Sequence, residues 1–148
     1  YCYKDVNTPT MDDPDNSRSQ GSILADDMGL GKTLTTLALI LATSSQGRSF
    51  QQADPNHRSS ATLVICPVSN LSNWKHEIDH HFAKNSITYN IFHGQKRKEL
   101  EREDLQSAMV VLTTYDLIGT SRNKTHPNIP TVESLNLSWF RIVLDEAQ

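Results

Sequence analysis

Apolar positions along the chain switch several times between short continuous runs and a helical spacing. Ile23-Leu24-Ala25 predicts a short strand over 22–25. After a glycine-rich turn, Leu34, Leu37, Ala38 and Leu41 recur at i, i+3, i+4 and i+7, with Leu39 and Ile40 widening the face. That spacing predicts a helix over about 32–43 packed against a sheet. Ala61–Cys66 is an unbroken apolar run, the kind of strand that is covered on both faces of a parallel sheet. Pro67 ends it, and Ser69 or Asn70 can cap a helix reaching about Phe82. On that helix Leu71, Trp74, Ile78 and Phe82 cluster within about 80° and define the expected buried stripe.

Further strands are expected over 87–92, 108–112 and 140–144, with a charged helix over 95–105 and a short helical segment after Thr113-Thr114-Tyr115. Residues 1–20, with Pro9, Pro14 and a run of Asp, Asn and Ser, read as an irregular lead-in. Residues 44–60 read as a mobile polar insertion and 119–138 as a second polar loop. Strands alternating with helices predict a three-layer α/β domain over 21–148 with a mostly parallel sheet.

Composition narrows this picture only slightly. Hydrophobic content of 36% and charged content of 21% suit a single folded domain with some loose loops. The net charge of −3 leaves no global basic footprint, so any contact with DNA has to come from a local patch or from parts outside this chain. Two cysteines, Cys2 and Cys66, make no disulfide framework. The longest apolar stretch is far short of a membrane span, and no membrane partner is expected. The polar opening does not resemble a signal peptide. The chain begins without Met and stops within its last motif, and is expected to be a piece of a longer protein.

The chemistry lies in two strings. Gly29-Leu30-Gly31-Lys32-Thr33 stands between a predicted strand and a predicted helix, with the Gly-Lys-Thr ending of a phosphate-binding loop. Its glycines allow close approach to a phosphate, and the helix that follows offers unpaired N–H groups to a polyanion. Lys32 is the candidate to bridge the β- and γ-phosphates, and Thr33 to ligate Mg²⁺. Asp145-Glu146 follows the apolar run Ile142-Val143-Leu144. Asp145 is the candidate second ligand of Mg²⁺, and Glu146 the group that orients or deprotonates an attacking water. One position departs from the common pattern, which asks for Gly where this chain has Asp26.

A rival reading comes from His76-Glu77-Ile78-Asp79-His80, a literal H-E-x-x-H, the helical signature of zinc peptidases with Glu77 as general base. Glu99 and Glu101 lie downstream, where a third ligand would be sought. Helix geometry places His76 and His80 roughly 155–195° from the buried stripe, on the water side, where no supported zinc site forms. The mixed charges of Lys96, Arg97, Lys98 and Arg102 among Glu99, Glu101, Glu103 and Asp104 read as a solvated face. Trp74 and Cys66 read as core residues.

Taken together the motifs resemble the N-terminal ATPase lobe of the Swi/Snf-type DNA translocases of helicase superfamily two. The resemblance rests on Gly21 to Leu34, Leu63 to Lys75, His93-Gly94, Thr113-Thr-Tyr-Asp116 and Trp139 to Ala147, in the family's order. The string Ala25-Asp-Asp-Met-Gly-Leu-Gly-Lys-Thr33 resembles most the fungal repair and transcription subgroup whose members often carry a RING insert. This family normally has Asp at the position of Asp26.

The resemblance implies a RecA-like P-loop lobe that binds ATP and Mg²⁺ through Asp27, Met28, Gly29, Leu30, Gly31, Lys32, Thr33 and Leu34. Lys32, Asp145 and Glu146 carry catalysis, and Gln148 couples nucleotide to motor. It implies contacts with a DNA strand through Pro67, Val68, Ser69, Thr113, Thr114 and Tyr115. It also implies a second lobe in the same chain that supplies arginine fingers, duplex DNA or nucleosomes as partners, and a nuclear location. The segment that contacts adenine in such motors is not evident in residues 1–20. Two competing expectations remain: a nucleotide-binding scaffold without catalysis, and, from another class, the zinc peptidase.

Overall fold

Parallel pairing of central strands organises the chain. The structure is a computed structural model that describes residues 2–6, 19–27, 31–118 and 130–146. In chain order its elements are β1 (Cys2–Val6), β2 (Ser19–Ile23), α1 (Lys32–Ala42), α2 (Ser44–Ala53), β3 (Arg58–Cys66), α3 (Leu71–His81), β4 (Tyr89–Ile91), α4 (Arg102–Ser107), β5 (Val110–Thr114) and β6 (Ser138–Leu144). Strands β6, β3, β5 and β4 lie side by side in parallel, and the antiparallel pair β1 and β2 extends the sheet beyond β6. The expected α/β architecture with a mostly parallel sheet is what forms.

Alternation along the strands divides the core between the two faces. Val64 and Cys66 of β3, Val110 and Leu112 of β5 and Val143 of β6 pack beneath α1 and α3, against Leu37, Ile40, Trp74 and Ile78. Ala61, Leu63, Ile65 and Val111 face the other way, against Leu105 of α4, Leu117, Val132 and Trp139. The stripe expected on α3 is correct: Leu71, Trp74 and Ile78 are buried, and Phe82 packs just past the helix end.

Several expectations need correction. Residues 2–6 and 19–20 of the supposed irregular lead-in belong to β1 and β2, and the strand expected over 22–25 forms as β2, starting three residues earlier at Ser19. Their pairing rests on backbone hydrogen bonds to a neighbouring strand and needs no apolar alternation in their own sequence. The buried residues of α1 are Thr36, Leu37 and Ile40, whereas Leu34 and Leu41 stay exposed, so the packed face is rotated from the expected stripe.

The supposed insertion after residue 43 contains α2, which packs through Gly47 onto β3 and sets Phe50 against Phe140 at 5.8 Å between ring centroids. Arg58 lays its guanidinium 4.5 Å from the centroid of the Phe50 ring. The charged segment over 95–105 is broken into a 3₁₀ turn, Gln95–Lys98, and the start of α4. A capping box causes the break: the Glu101 and Asp104 side chains each accept from the other's backbone N–H. Arg97 and Arg102 are not merely solvated. Arg97 donates to the carbonyls of Gly94 and Pro130, and Arg102 to those of Leu135 and Asn136. The part of the second polar loop at 119–129 lies outside the described residues, and 130–137 carries a 3₁₀ turn, Glu133–Leu135. Among the described residues no helix is long and apolar enough to cross a membrane.

Gly47 makes a sharp test of this packing. A Cβ there would sit 2.8 Å from the Ser60 carbonyl oxygen and 3.3 Å from Cδ1 of Phe140. Helix propensity alone favours Ala over Gly by about 1 kcal/mol, but overpacking against backbone costs about 1–3 kcal/mol. The collision should win. Gly47→Ala is expected to lower stability by about 1–2 kcal/mol in chemical denaturation, and a stabilised variant would show that α2 does not lie on β3.

Candidate functional site

The carboxyl ends of the parallel strands open into a cleft of about 410 Å³. Its walls are Gly31 just before α1 with Lys32, Thr33 and Leu34 at its start, Asn70 just before α3 with Asn73, Glu77 and His81 along it, and Asp145 and Glu146 after β6. The two strings read from the sequence therefore meet across one space. Gly31 adopts φ 78 immediately before α1, a left-handed conformation that costs an L side chain about 1–2 kcal/mol. Met28, Gly29, Leu30 and Gln148 lie outside the described residues.

Lys32 donates from its ammonium to the carbonyls of Asp26 at 2.5 Å and Asp27 at 3.1 Å. Asp26 contributes its backbone carbonyl here and does not have positive φ. Asp26 and Asp27 are both exposed.

Asp145 is 4% exposed and is gripped from three directions. Its Oδ2 accepts from the indole N–H of Trp74 at 2.9 Å and from the Asn70 amide at 3.3 Å. Its carbonyl accepts from the Tyr115 hydroxyl at 2.7 Å, and its N–H donates to Ile65 O at 2.8 Å. Glu146, directly after it, is exposed and has φ 53. A non-glycine residue in that region is held there by its surroundings at a cost, and such residues cluster at functional sites.

Behind the acid pair, the Cys66 thiol is pushed up to about 12, chiefly by burial and secondarily by the Asp145 carboxylate. Its Sγ lies 3.7 Å from Thr113 O.

The residues matched to DNA-strand contact differ in exposure. Val68 and Ser69 are exposed, Pro67 is half-buried and Tyr115 is 39% exposed. Thr113 and Thr114, however, are 0% and 1% exposed. Thr113 donates its hydroxyl to Phe92 O, and Thr114 donates to Asp116 while meeting Nδ1 of His93. As the last residues of a strand flanked on both sides, they spend their hydroxyls inside the protein and offer none to a partner. Ser69 does not cap α3 either; no side-chain cap bond is formed there.

His76 and His80 are exposed, as helix geometry requires, with their rings stacked at 5.2 Å. Among the described residues no three His, Cys, Asp or Glu side chains come together to hold a metal. The H-E-x-x-H string therefore has no third ligand among the described residues, and Oε2 of Glu77 instead lies 3.0 Å from Nε2 of His81 at the rim of the cleft.

The sequence profile of the SNF2-related domain matches residues 10–148. The chain belongs to the SNF2-related family. An uncharacterized ATP-dependent helicase of Schizosaccharomyces pombe is 37% identical over 147 residues, covering 90% of this chain and 13% of that protein. DNA repair protein RAD5B of Arabidopsis thaliana is 34% identical over 151 residues, covering 87% of this chain and 11% of its own length. The SWI2/SNF2 ATPase core of Sulfolobus solfataricus, solved in complex with dsDNA, superposes with a TM-score of 0.50 at 30% identity. That match covers 84% of this chain and 27% of the other. The SNF2-related domain described here thus spans a small part of each relative. The expected RecA-like fold and the kinship with repair-type members both hold.

Sequence reasoning missed Asn70, Asn73, Glu77 and His81 as cleft residues and read Trp74 as core alone. A signal was available: these polar positions recur at helical spacing beside the apolar stripe, with Asn70 and Trp74 one turn apart.

The Cys66 environment yields a pH prediction. The folded pKa lies above the ordinary value of 9.0, so the unfolded chain loses its proton first. Stability from this group is complete below pH 9 and is lost as pH rises toward 12. Cys66 is accordingly expected to resist iodoacetamide at pH 8.5 in the folded domain and to react after denaturation, as read by peptide mass spectrometry. Prompt labelling of the native protein would contradict this burial.

Proposed function

We propose that the cleft binds ATP with Mg²⁺ and that this SNF2-related domain is the N-terminal ATP-binding lobe of a DNA-dependent ATPase. The single observation that supports this most is that Lys32 and Thr33 share one cleft with Asp145 and Glu146. The residues suit the group. Thr33 and Asp145 offer hydroxyl and carboxylate oxygen, the donors a hard cation takes, with a lysine ammonium beside them for phosphate oxygens. Bound there, Mg²⁺ would neutralise charge on the phosphates.

The chain's own groups supply the rest. Lys32 exchanges its two carbonyl acceptors for phosphate oxygens, gaining stronger charge-assisted bonds. The start of α1 directs backbone N–H groups at the same anion, with the positive end of the helix dipole behind them. Glu146, exposed to the cleft, orients a water and accepts its proton. Buried Asp145 stays fixed while this happens.

The solved relative carries dsDNA. On this reading the exposed Val68 and Ser69, with Tyr115, face the backbone of a DNA strand at the same strand ends. The whole protein is proposed to translocate on duplex DNA or remodel nucleosomes in the nucleus, in repair or transcription. A second lobe is proposed to close the cleft and bring arginine fingers, each commonly worth about 10³–10⁵ in rate. The isolated 148 residues should therefore bind nucleotide weakly and hydrolyse almost none.

Two variants of the full-length protein test the reading by nucleotide binding and DNA-stimulated ATPase. Lys32→Ala is expected to lose ATP binding. Glu146→Gln should keep binding and lower kcat by about 10²–10⁴. Wild-type behaviour in either variant would defeat the assignment, and brisk turnover by the isolated domain would defeat the two-lobe account.

A further inference from the structure

The only route by which α3 and the Asn70 that precedes it touch the acid pair through hydrogen bonds among the described residues is one oxygen, Oδ2 of Asp145. Trp74 is 0% exposed, and indole N–H can only donate. A buried tryptophan needs an acceptor, and a backbone carbonyl commonly serves. Here the acceptor is a buried carboxylate 71 residues away along the chain. Asn70, one turn earlier on the same face, donates to the same oxygen. Two neutral donors on Oδ2 fix the carboxylate's rotation about its Cβ–Cγ bond. They leave Oδ1, which accepts no hydrogen bond among the described residues.

We propose that Trp74 and Asn70 are positioning residues for Asp145: they hold its carboxylate by Oδ2 so that Oδ1 is presented to Mg²⁺ or to a water bound to it. This rests on the reading, given above, that Asp145 serves the metal. The physical reason is general. A ligating carboxylate whose outer oxygen is tied by hydrogen bonds loses less orientational freedom when metal binds, and removing such partners typically lowers metal affinity about 10–100-fold. Trp74 thereby has two duties, filling the core beneath α3 and aiming an acid at its far side. The dual role explains why a tryptophan stands where another large apolar residue would pack as well.

The test uses the full-length protein, a non-hydrolysable ATP analogue and Mg²⁺, with Mn²⁺ followed by electron paramagnetic resonance as a second probe of the metal alone. Trp74→Phe keeps an aromatic ring and removes the donor, and Asn70→Ala removes the other. The half-saturating Mg²⁺ for analogue binding is expected to rise about tenfold in Trp74→Phe and by a smaller factor in Asn70→Ala. Binding of the analogue in EDTA should match the wild type in both, a pattern that mere loss of packing would not produce.

Wild-type Mg²⁺ dependence in folded Trp74→Phe overturns the proposal. Should Trp74→Phe fail to fold, Asn70→Ala decides alone, and an unchanged Mg²⁺ dependence there overturns it equally. Asp145→Ala separates the two levels of the argument. If that variant also binds Mg²⁺ normally, the metal role of Asp145 fails, and the positioning proposal falls with it.

Discussion

The parallel pairing of β3 with β6 is the constraint on which the rest depends. Its register sets Leu63 against Ile142, Val64 against Val143 and Ile65 against Leu144. Both strands consequently run out at the same level, and the Asp145 N–H closes the ladder on Ile65 O. Beyond that bond the two chains part. Pro67 turns one into the helix that carries Asn70, Trp74 and Glu77, while the other turns at Glu146 into left-handed backbone. A slip of one residue in this register would reverse the faces of β6 and take Val143 out of the core. It would also carry Asp145 away from Trp74. Core packing and the site geometry are therefore specified by the same set of hydrogen bonds.

The site is polar only where the sheet stops. Behind it Cys66, Val64 and Val143 are fully buried, so the Asp145 carboxylate borders apolar interior on one side and the cleft on the other. A buried carboxylate is costly unless it is hydrogen-bonded, and the donors from Trp74 and Asn70 meet that need without adding opposing charge. The positive charge in the cleft comes instead from Lys32. Its ammonium rests on two loop carbonyls and has no carboxylate partner among the described residues, so it can turn toward an anion without breaking an ion pair there.

Much of this was legible in the sequence, for reasons that differ by element. Ala61–Cys66 was readable because a strand covered on both faces must be apolar throughout. The stripe on α3 was readable because one face alone is buried, so the period shows. The Asp145-Glu146 pair stood out as two carboxylates directly after an apolar strand, and the structure sets both on the wall of the cleft. β1 and the opening of β2 were not readable, since they are tied by backbone pairing that leaves no mark on side-chain pattern. Helix α2 was missed because its docking residue is a glycine, and its contact is the absence of a side chain. The packed face of α1 was misjudged because Thr36, a polar residue, takes a buried position by returning its hydroxyl to Lys32 O. Thr113 and Thr114 resembled strand-binding residues, but only the sheet neighbours Phe92 and His93 reveal that their hydroxyls are already used.

The central claim is that a triphosphate is gripped between the Lys32 ammonium and the acid fixed after β6. A crystal structure of the full-length protein with Mg²⁺ and a non-hydrolysable ATP analogue measures this directly. The account predicts the γ-phosphate within hydrogen-bond distance of Nζ of Lys32, the ammonium withdrawn from the Asp26 and Asp27 carbonyls, and the metal on the Asp145 side of the phosphates. A triphosphate bound elsewhere, with Lys32 still resting on those carbonyls, would contradict it.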